Sequence, residues 1–204
     1  MAPLIGLIVS YLAGGIPAAY VAGRVFRGID LRHHGSGNLG ATNVYRVMGW
    51  KIATLVMAFD VAKGALPVYV LAPWASNVYT SYWALAYGVA AIAGHVRSPY
   101  LGWKSGGKGV ATAAGVFLAL APLPTLIAVG VWAVVLAISG YVSLASLAAA
   151  TTLPIAVGVI DGVRTPVFAV SVIVGLFVFW THRGNIRRLR RGQEHRFGKR
   201  KAAA

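Results

Sequence analysis

VATAAGVFLALAPLPTLIAVGVWAVVLAIS, residues 110–139, decides how many times this chain crosses a membrane. Read as one helix, its 30 residues would be about 45 Å long, well beyond a hydrocarbon core of roughly 30 Å. Pro122 and Pro124 stand near its middle, and proline pairs end helices more often than they sit inside them, because each lacks an N–H and restricts the residue before it. The stretch therefore reads as two helices, 108–121 and 124–139. Apolar segments at 3–23, 52–72, 78–96, 143–160 and 166–181 bring the expected count to seven.

Charge leads to the same count independently. With seven spans and the N-terminus outside, the inside segments hold Arg24, Arg27, Arg32, Arg46 and Lys51, then Arg97, Lys104 and Lys108, then every basic residue beyond 182. That is 17 of the 19 Lys and Arg; Arg164 lies outside and Lys63 within a span. Six spans would place the basic tail outside, against the excess of Lys and Arg that cytoplasmic loops carry. No basic residue precedes the first span, so it lacks the charged start of a cleaved signal peptide and is expected to persist as an anchor.

Composition agrees. Of 204 residues 58% are hydrophobic, mean hydropathy is +0.71, and only 4 acidic residues face the 19 basic ones. This is the make-up of an all-α integral membrane protein, expected as a single membrane-embedded domain over 1–204 with a basic cytoplasmic tail at 182–204. The net charge of +15 belongs to loops and tail. A nucleic-acid partner is not expected, since the basic residues are scattered among helix ends with no soluble domain to present them. The chain has no cysteine, which excludes disulfides, thiolate catalysis and Cys-based metal sites.

Polar groups being scarce, chemistry is expected in three glycine- and base-rich segments between the apolar ones. In GWKSGGKGVAT, 102–112, the glycines Gly106, Gly107 and Gly109 let backbone amides approach a ligand, and the segment runs into the helix that starts near Val110. Amides at a helix N-terminus form an anion site, to which Lys104 and Lys108 add mobile positive charge. Gly102, Gly107 and Lys108 have the spacing of a P-loop, yet Gly109 stands where the magnesium-binding Ser or Thr belongs and no strand ending in Asp is present, so ATP hydrolysis is not expected. GSGNLGATNVYR, 35–46, combines turn-forming glycines such as Gly37 with Ser36, Asn38, Thr42, Asn43 and Arg46. Short hydroxyls and amides commonly cap helices and close turns, whereas a guanidinium gives bidentate contact with phosphate or carboxylate.

In HRGNIRRLRRGQEHR, 182–196, the residues His182, Asn185, Leu189 and Glu194 can share a helical face, and Arg187, Arg188, Arg190 and Arg191 read as lipid-headgroup anchors. Zinc is not expected, because His33, His34, His95, His182 and His195 lack the ligand-pair spacing of a metalloenzyme. Asp60 and Lys63, three residues apart on one helix face, read as a buried ion pair that braces or lines the site without catalysing. With seven spans, all three segments and the turn from Ser139 to Ser143 fall on the cytoplasmic face, where they can build one site. Gly14 and Gly15, or Gly158 and Gly162, suit close helix contacts within one chain or between chains.

Taken together, the three segments resemble the signatures of the bacterial acyl-phosphate:glycerol-3-phosphate acyltransferases, the PlsY family: GSGNxGATNxxR, GHxxPxxxxxKGGKGVAT and HRxNIxRLxxGxE. They correspond to Gly35–Arg46, Gly94–Thr112 and His182–Glu194, in the same order, and the likeness extends over the whole chain. One departure is Ser105, read as standing where the first glycine of KGGKG is usual. The resemblance implies transfer of a fatty acyl group from acyl phosphate to the 1-hydroxyl of glycerol 3-phosphate, giving lysophosphatidic acid and phosphate, at the cytoplasmic face of the bacterial inner membrane. It also implies that Ser36, Arg46, Lys104, His182, Asn185 and the Ser143 turn hold glycerol 3-phosphate and the reacting groups. The amides of Gly106, Gly107 and Gly109, with Lys108, would hold the acyl-phosphate head, and Gly37, Asn38, Thr42 and Asn43 join the substrate-binding set.

The chemistry of the residues is consistent with that assignment. Two phosphate-bearing substrates need concentrated positive charge and amide donors, and an acyl phosphate, a mixed anhydride, needs neither metal nor cofactor to be reactive. His182 is the most plausible side-chain base, with an unperturbed pKa near 6.5, while a substrate phosphate is the other proton acceptor. An acyl-Ser36 intermediate is disfavoured, since no carboxylate-oriented histidine is evident beside that serine. The expected partners are the two substrates and membrane lipids, with no obligatory protein partner. From a different class, a transporter of a phosphorylated anion would also use basic, glycine-rich loops, but it should show an inverted repeat or polar groups at mid-membrane. A lipid-anchored scaffold explains the tail but not the paired glycine-rich loops, and CDP-alcohol transferases need an aspartate cluster that four acidic residues cannot furnish.

Overall fold

The computed structural model describes residues 2–75, 80–104 and 106–197, and among these there is no β-strand. The described residues form ten α-helices: α1 (Ala2–Gly15), α2 (Ala18–Arg27), α3 (Ala41–Met48), α4 (Trp50–Leu66), α5 (Thr80–Val96), α6 (Val110–Leu120), α7 (Pro122–Ser139), α8 (Val142–Val157), α9 (Pro166–Thr181) and α10 (Arg183–Arg190). The stretch 110–139 is indeed two helices. Backbone helicity fails at Ala121 (φ −146°, ψ 73°), and α7 starts at Pro122, two residues earlier than expected. Both prolines thereby fall in the first turn, where a missing N–H costs no intrahelical bond.

Each of the seven expected apolar segments holds a helix among the described residues, but they differ in reach. Among the described residues four continuous helical stretches are long and apolar enough to cross a membrane: Pro3–Arg27, Trp50–Trp74, Pro122–Ser139 and Val142–Gly162. The pair α9 and α10, bent by 58°, makes a fifth if counted as one span. By contrast α6 has 11 residues, about 17 Å of helix. The first stretch is interrupted at Ile16 and Pro17, where proline cannot donate back. Pro67 likewise disturbs α4, which continues as a π-helical turn (Pro67–Leu71) and a 3-10 turn (Ala72–Trp74).

The chain divides into two compact units, Met1–Pro122 and Leu123–Ala204. In the first, α1 packs on α5 and α4 on α6. Both crossings are glycine contacts: Gly14 lies against the Ala91 carbonyl and Gly94 against that of Tyr11, while Gly64 meets the Thr112 carbonyl and Gly115 that of Val61. A Cβ at any of the four would overlap facing backbone. Such crossings suit lipid, where apolar side chains gain nothing by leaving the solvent and close backbone approach drives packing. Gly14 is thus used inside the chain. Ser98 Oγ donates to Gly15 O (2.6 Å) and Tyr11 Oη to Arg97 O (2.7 Å), locking the entrance of the second motif to α1. A small core of Ala19, Ala22, Leu31, Val44, Met48, Ala53 and Val56 holds α2 and α3 to the start of α4.

In the second unit α8 packs against α9, and α10 touches both. Trp132 Nε1 donates to Ser146 Oγ (3.4 Å), joining α7 to α8. Gly158 packs on the Phe168 ring, whereas Gly162 (φ +99°) ends a π-helical turn and has no neighbour in reach. Beyond α10 the chain folds back on the α7–α8 turn: Phe197 N donates to Gly140 O (2.6 Å) and Arg196 covers the Tyr141 ring.

Candidate active site

The first motif hangs on a charged clasp that precedes it. Asp30 accepts from Arg32 N (3.1 Å), capping the 3-10 turn Leu31–His33, and pairs with Arg32 Nη2 (2.6 Å) and Arg24 Nη2 (3.2 Å). Both guanidiniums lie over the Tyr20 ring. The hydrogen bond from the Arg32 side chain holds the Asp30 carboxyl below the usual carboxylate range. From this anchor the chain turns through Gly35 and Gly37, both at positive φ, which presents Ser36 to solvent.

Asn43 then closes the loop: Ser36 N donates to Asn43 Oδ1 (2.8 Å), and Asn43 Nδ2 donates to His34 O (3.0 Å). Its side chain is 1% exposed. Asn43, expected to bind substrate, is therefore engaged at both ends in bracing the backbone of Ser36. The spacing of seven between Ser36 and Asn43 carried no signal for this, because the link exists only once the loop has turned. Thr42 lies half-buried in the first turn of α3, and Arg46 is exposed in its last turn.

The second motif is tied to the first through one carbonyl. Gly106 O accepts from Leu39 N (3.4 Å) and Asn38 Nδ2 (3.5 Å), so the two motifs expected to cooperate do meet within the first unit. Asn38 acts here as a tie between loops. Gly106 N donates to Val96 O (3.0 Å), which commits an amide expected to face acyl phosphate. Gly107 and Gly109 remain as amide donors, with Gly109 at φ +83° capping α6. Lys104 is exposed and Lys108 half-buried. Because Gly106-Gly107-Lys108-Gly109 is complete, Ser105 does not replace a glycine, and Gly94–Thr112 is one residue longer than the signature. Ser105 itself lies outside the described residues.

The third motif occupies the 58° bend between α9 and α10. His182 sits at the bend, 3% exposed, with Nδ1 at 2.8 Å from Val178 O. A carbonyl only accepts, so Nδ1 carries the hydrogen, and in the neutral imidazole Nε2 then has the lone pair. Asn185 Nδ2 donates to Glu194 Oε1 (2.6 Å), Ser143 Oγ donates to the same oxygen (3.0 Å), and Arg188 Nε donates to Oε2 (2.7 Å). Burial alone would raise the Glu194 carboxyl; the bonds from Asn185, Arg188 and Ser143 outweigh it and hold the group below its ordinary range. Glu194 thus gathers Ser143 and Asn185 and turns the Asn185 carbonyl the other way. It was expected on the same helical face as His182, but α10 ends at Arg190, and the turn at Gly192 (φ +67°) brings Glu194 back. The available signal was rarity: it is the single glutamate in the chain.

The glycerol-3-phosphate acyltransferase family model matches residues 4–192. Among relatives of that name, the protein of Synechococcus sp. (strain CC9902) is 44% identical over 97% of this chain and 96% of its own, and that of Solidesulfovibrio magneticus 45% over the full length of both. Crystal structures of PlsY, an integral membrane glycerol 3-phosphate acyltransferase, superpose with TM-scores of 0.89 in the glycerol 3-phosphate form and 0.86 in the lysophosphatidic acid form. Each is 36% identical, covering 97% of this chain and 96% of the other. On this agreement of motifs, fold and sequence over nearly its whole length, the chain belongs to the glycerol-3-phosphate acyltransferase family.

Proposed function

We propose that this chain transfers a fatty acyl group from acyl phosphate to the 1-hydroxyl of glycerol 3-phosphate, forming lysophosphatidic acid and phosphate. The observation that carries this reading is the likeness, over 97% of the chain, to an acyltransferase whose crystal forms hold its acceptor and its product. An anion transporter is not favoured by that relationship. The glycerol hydroxyl attacks the acyl carbon, the bond from that carbon to the phosphate oxygen breaks, and inorganic phosphate leaves. The hydroxyl proton goes to His182 Nε2 or to a substrate phosphate oxygen. Gly107, Gly109 and Lys108 are assigned to the acyl-phosphate head; Ser36, Arg46, Lys104, His182, Asn185 and Ser143 are assigned to glycerol 3-phosphate and the reacting groups. The His182 tautomer supports its role as acceptor, and the Asn185 carbonyl suits a hydroxyl donor better than a phosphate. Binding and orientation supply most of the rate, since a mixed anhydride needs little activation.

Phosphate release from palmitoyl phosphate by the purified protein in metal-free detergent buffer tests the reading. Release that depends on glycerol 3-phosphate and yields lysophosphatidic acid is expected; none from folded protein would remove it. His182→Ala then separates the two proton acceptors: near-normal kcat with raised KM leaves the substrate phosphate as base.

Seven spans with the N-terminus outside and the motifs on the cytoplasmic face of the inner membrane complete the proposal, along with one functional domain over 1–204. The distribution of Lys and Arg supports this topology. Because the chain has no cysteine, single-cysteine variants report sidedness cleanly. Arg164→Cys should react with an impermeant maleimide added outside intact cells, and Arg187→Cys should not; the reverse would invert the topology.

A further inference from the structure

Three buried ionisable side chains of the first unit take no part in the proposed reaction: Asp60, Lys63 and His95, 2%, 5% and 7% exposed. A buried charge is retained only when paired, and here Lys63 Nζ lies 2.7 Å from Asp60 Oδ1 and also donates to Ile16 O (2.8 Å), which accepts from Ala18 N (3.0 Å) as well where α1 breaks before α2. His95 Nδ1 stands 3.6 Å from the same Asp60 oxygen, so one edge of the imidazole faces the pair. The opposite edge faces the glycine-rich loop. A Cβ at Gly107 would fall on His95 Nε2 and within 2.7 Å of Cε1, and a Cβ at Gly106 would fall on the His95 carbonyl. Gly106 N is meanwhile bonded to Val96 O, next to His95 in the chain. One residue therefore backs two successive glycines, with its backbone under the first and its ring under the second.

We propose that His95 is the positioning residue of the anion-binding loop: its ring, backed by the Asp60–Lys63 pair, is the wall that fixes where the Gly107 amide points. The inference rests on the reading of this loop as the acyl-phosphate site. A glycine run has no side chains to order it and the widest backbone freedom of any sequence, so an amide aimed at a phosphate must be aimed by something else. Ordering the loop beforehand lowers what binding must otherwise supply, and its effect should fall on the affinity for one substrate.

The test is the kinetics of His95→Asn, which keeps a polar group toward Asp60 while removing the ring edge over Gly107. Expected is a rise of about tenfold in KM for palmitoyl phosphate, with kcat and KM for glycerol 3-phosphate within about twofold. His95→Gln, whose amide reaches about as far as Nε2, should recover most of that loss. A second measurement is independent of the folding of any single variant: Gly107→Ala places a methyl on the His95 ring, so His95→Asn should partly relieve the Gly107→Ala defect when the two are combined. Equal KM for palmitoyl phosphate in His95→Asn and the parent protein overturns the proposal, as does a parallel loss in both substrates, or a double variant no better than Gly107→Ala. A parent protein that releases no phosphate in response to glycerol 3-phosphate breaks the underlying reading instead, before any variant is made.

Discussion

In the loops at 35–46 and 106–109, order comes from backbone meeting backbone. Gly106 donates to Val96 and accepts from Leu39, Gly35 and Gly37 turn at positive φ, and the side-chain amides of Asn38 and Asn43 bond to loop backbone. In the segment 182–194, order comes from one carboxylate that holds a hydroxyl, an amide and a guanidinium at once. The first arrangement depends on the absence of atoms and tolerates little added volume. The second depends on charge and tolerates little change in protonation. Each matches the task proposed for it: amides must come close to an anion, whereas a hydroxyl acceptor must be turned in one direction.

Adding volume to the first region should give the largest effect. Gly106→Ala would drive a methyl onto the His95 carbonyl, which is backbone and cannot swing away. A loss of about 100-fold in kcat/KM is expected, the scale of a displacement of roughly 1 Å in reacting groups. The same substitution at Gly184, whose Cβ would meet only the distant end of Arg188, should cost within about twofold. Comparable losses at both would end the distinction drawn above.

Removing the carboxylate is the matching experiment in the second region. Glu194→Ala leaves donors of Ser143, Asn185 and Arg188 without their acceptor, for a destabilisation of about 2 kcal/mol, read as a lower melting temperature in detergent. Turnover should fall with it, because the Asn185 amide loses the carboxylate that accepts from its Nδ2. Asn43→Ala, which removes two hydrogen bonds around Ser36, should cost about 1 kcal/mol and fall mainly on kcat.

Acid sharpens the comparison further. The Glu194 carboxyl is lowered in the folded chain from an ordinary value of 4.5, so the stability it contributes is complete above pH 4.5 and falls away as pH drops toward the lower folded value. Amide exchange near α10 should accelerate over that window, while the loop at 106–109, tied by backbone bonds to Val96 and Leu39, keeps its protection. Equal loosening in both regions would contradict the account. The smallest effect is expected for Arg187→Ala, an exposed side chain, which should leave kcat/KM within about twofold, whereas Arg188→Ala removes a bond to Glu194 and should cost more.

Much of this was legible in the linear sequence. The apolar runs announced their helices, and Pro122 and Pro124 announced the break between α6 and α7, because helix formation and proline's lost donor act between near neighbours. The motif glycines likewise declared their turns and their capacity for close approach. Less legible was the division of labour among polar residues. Asn43, Asn38 and Gly106 look like ligand groups in a motif, yet Asn43 bonds to the backbone of Ser36 and His34, Asn38 to Gly106, and Gly106 to Val96. Glu194 looks like one more residue of a basic tail and is the centre of its cluster.

By itself, then, the sequence determined composition-driven membrane insertion, the helical segments with their breaks, and which three stretches could carry chemistry, since all of these follow from hydropathy, propensity and short-range sterics. Only the tertiary structure decided that Lys63 would complete the carbonyl of Ile16, that His95 would stand behind Gly107, and that Ser143 and Asn185 would share Glu194. The physical reason is that a buried polar group must find a partner wherever the packing of helices places one, and the partner's position along the chain is not encoded in any local pattern.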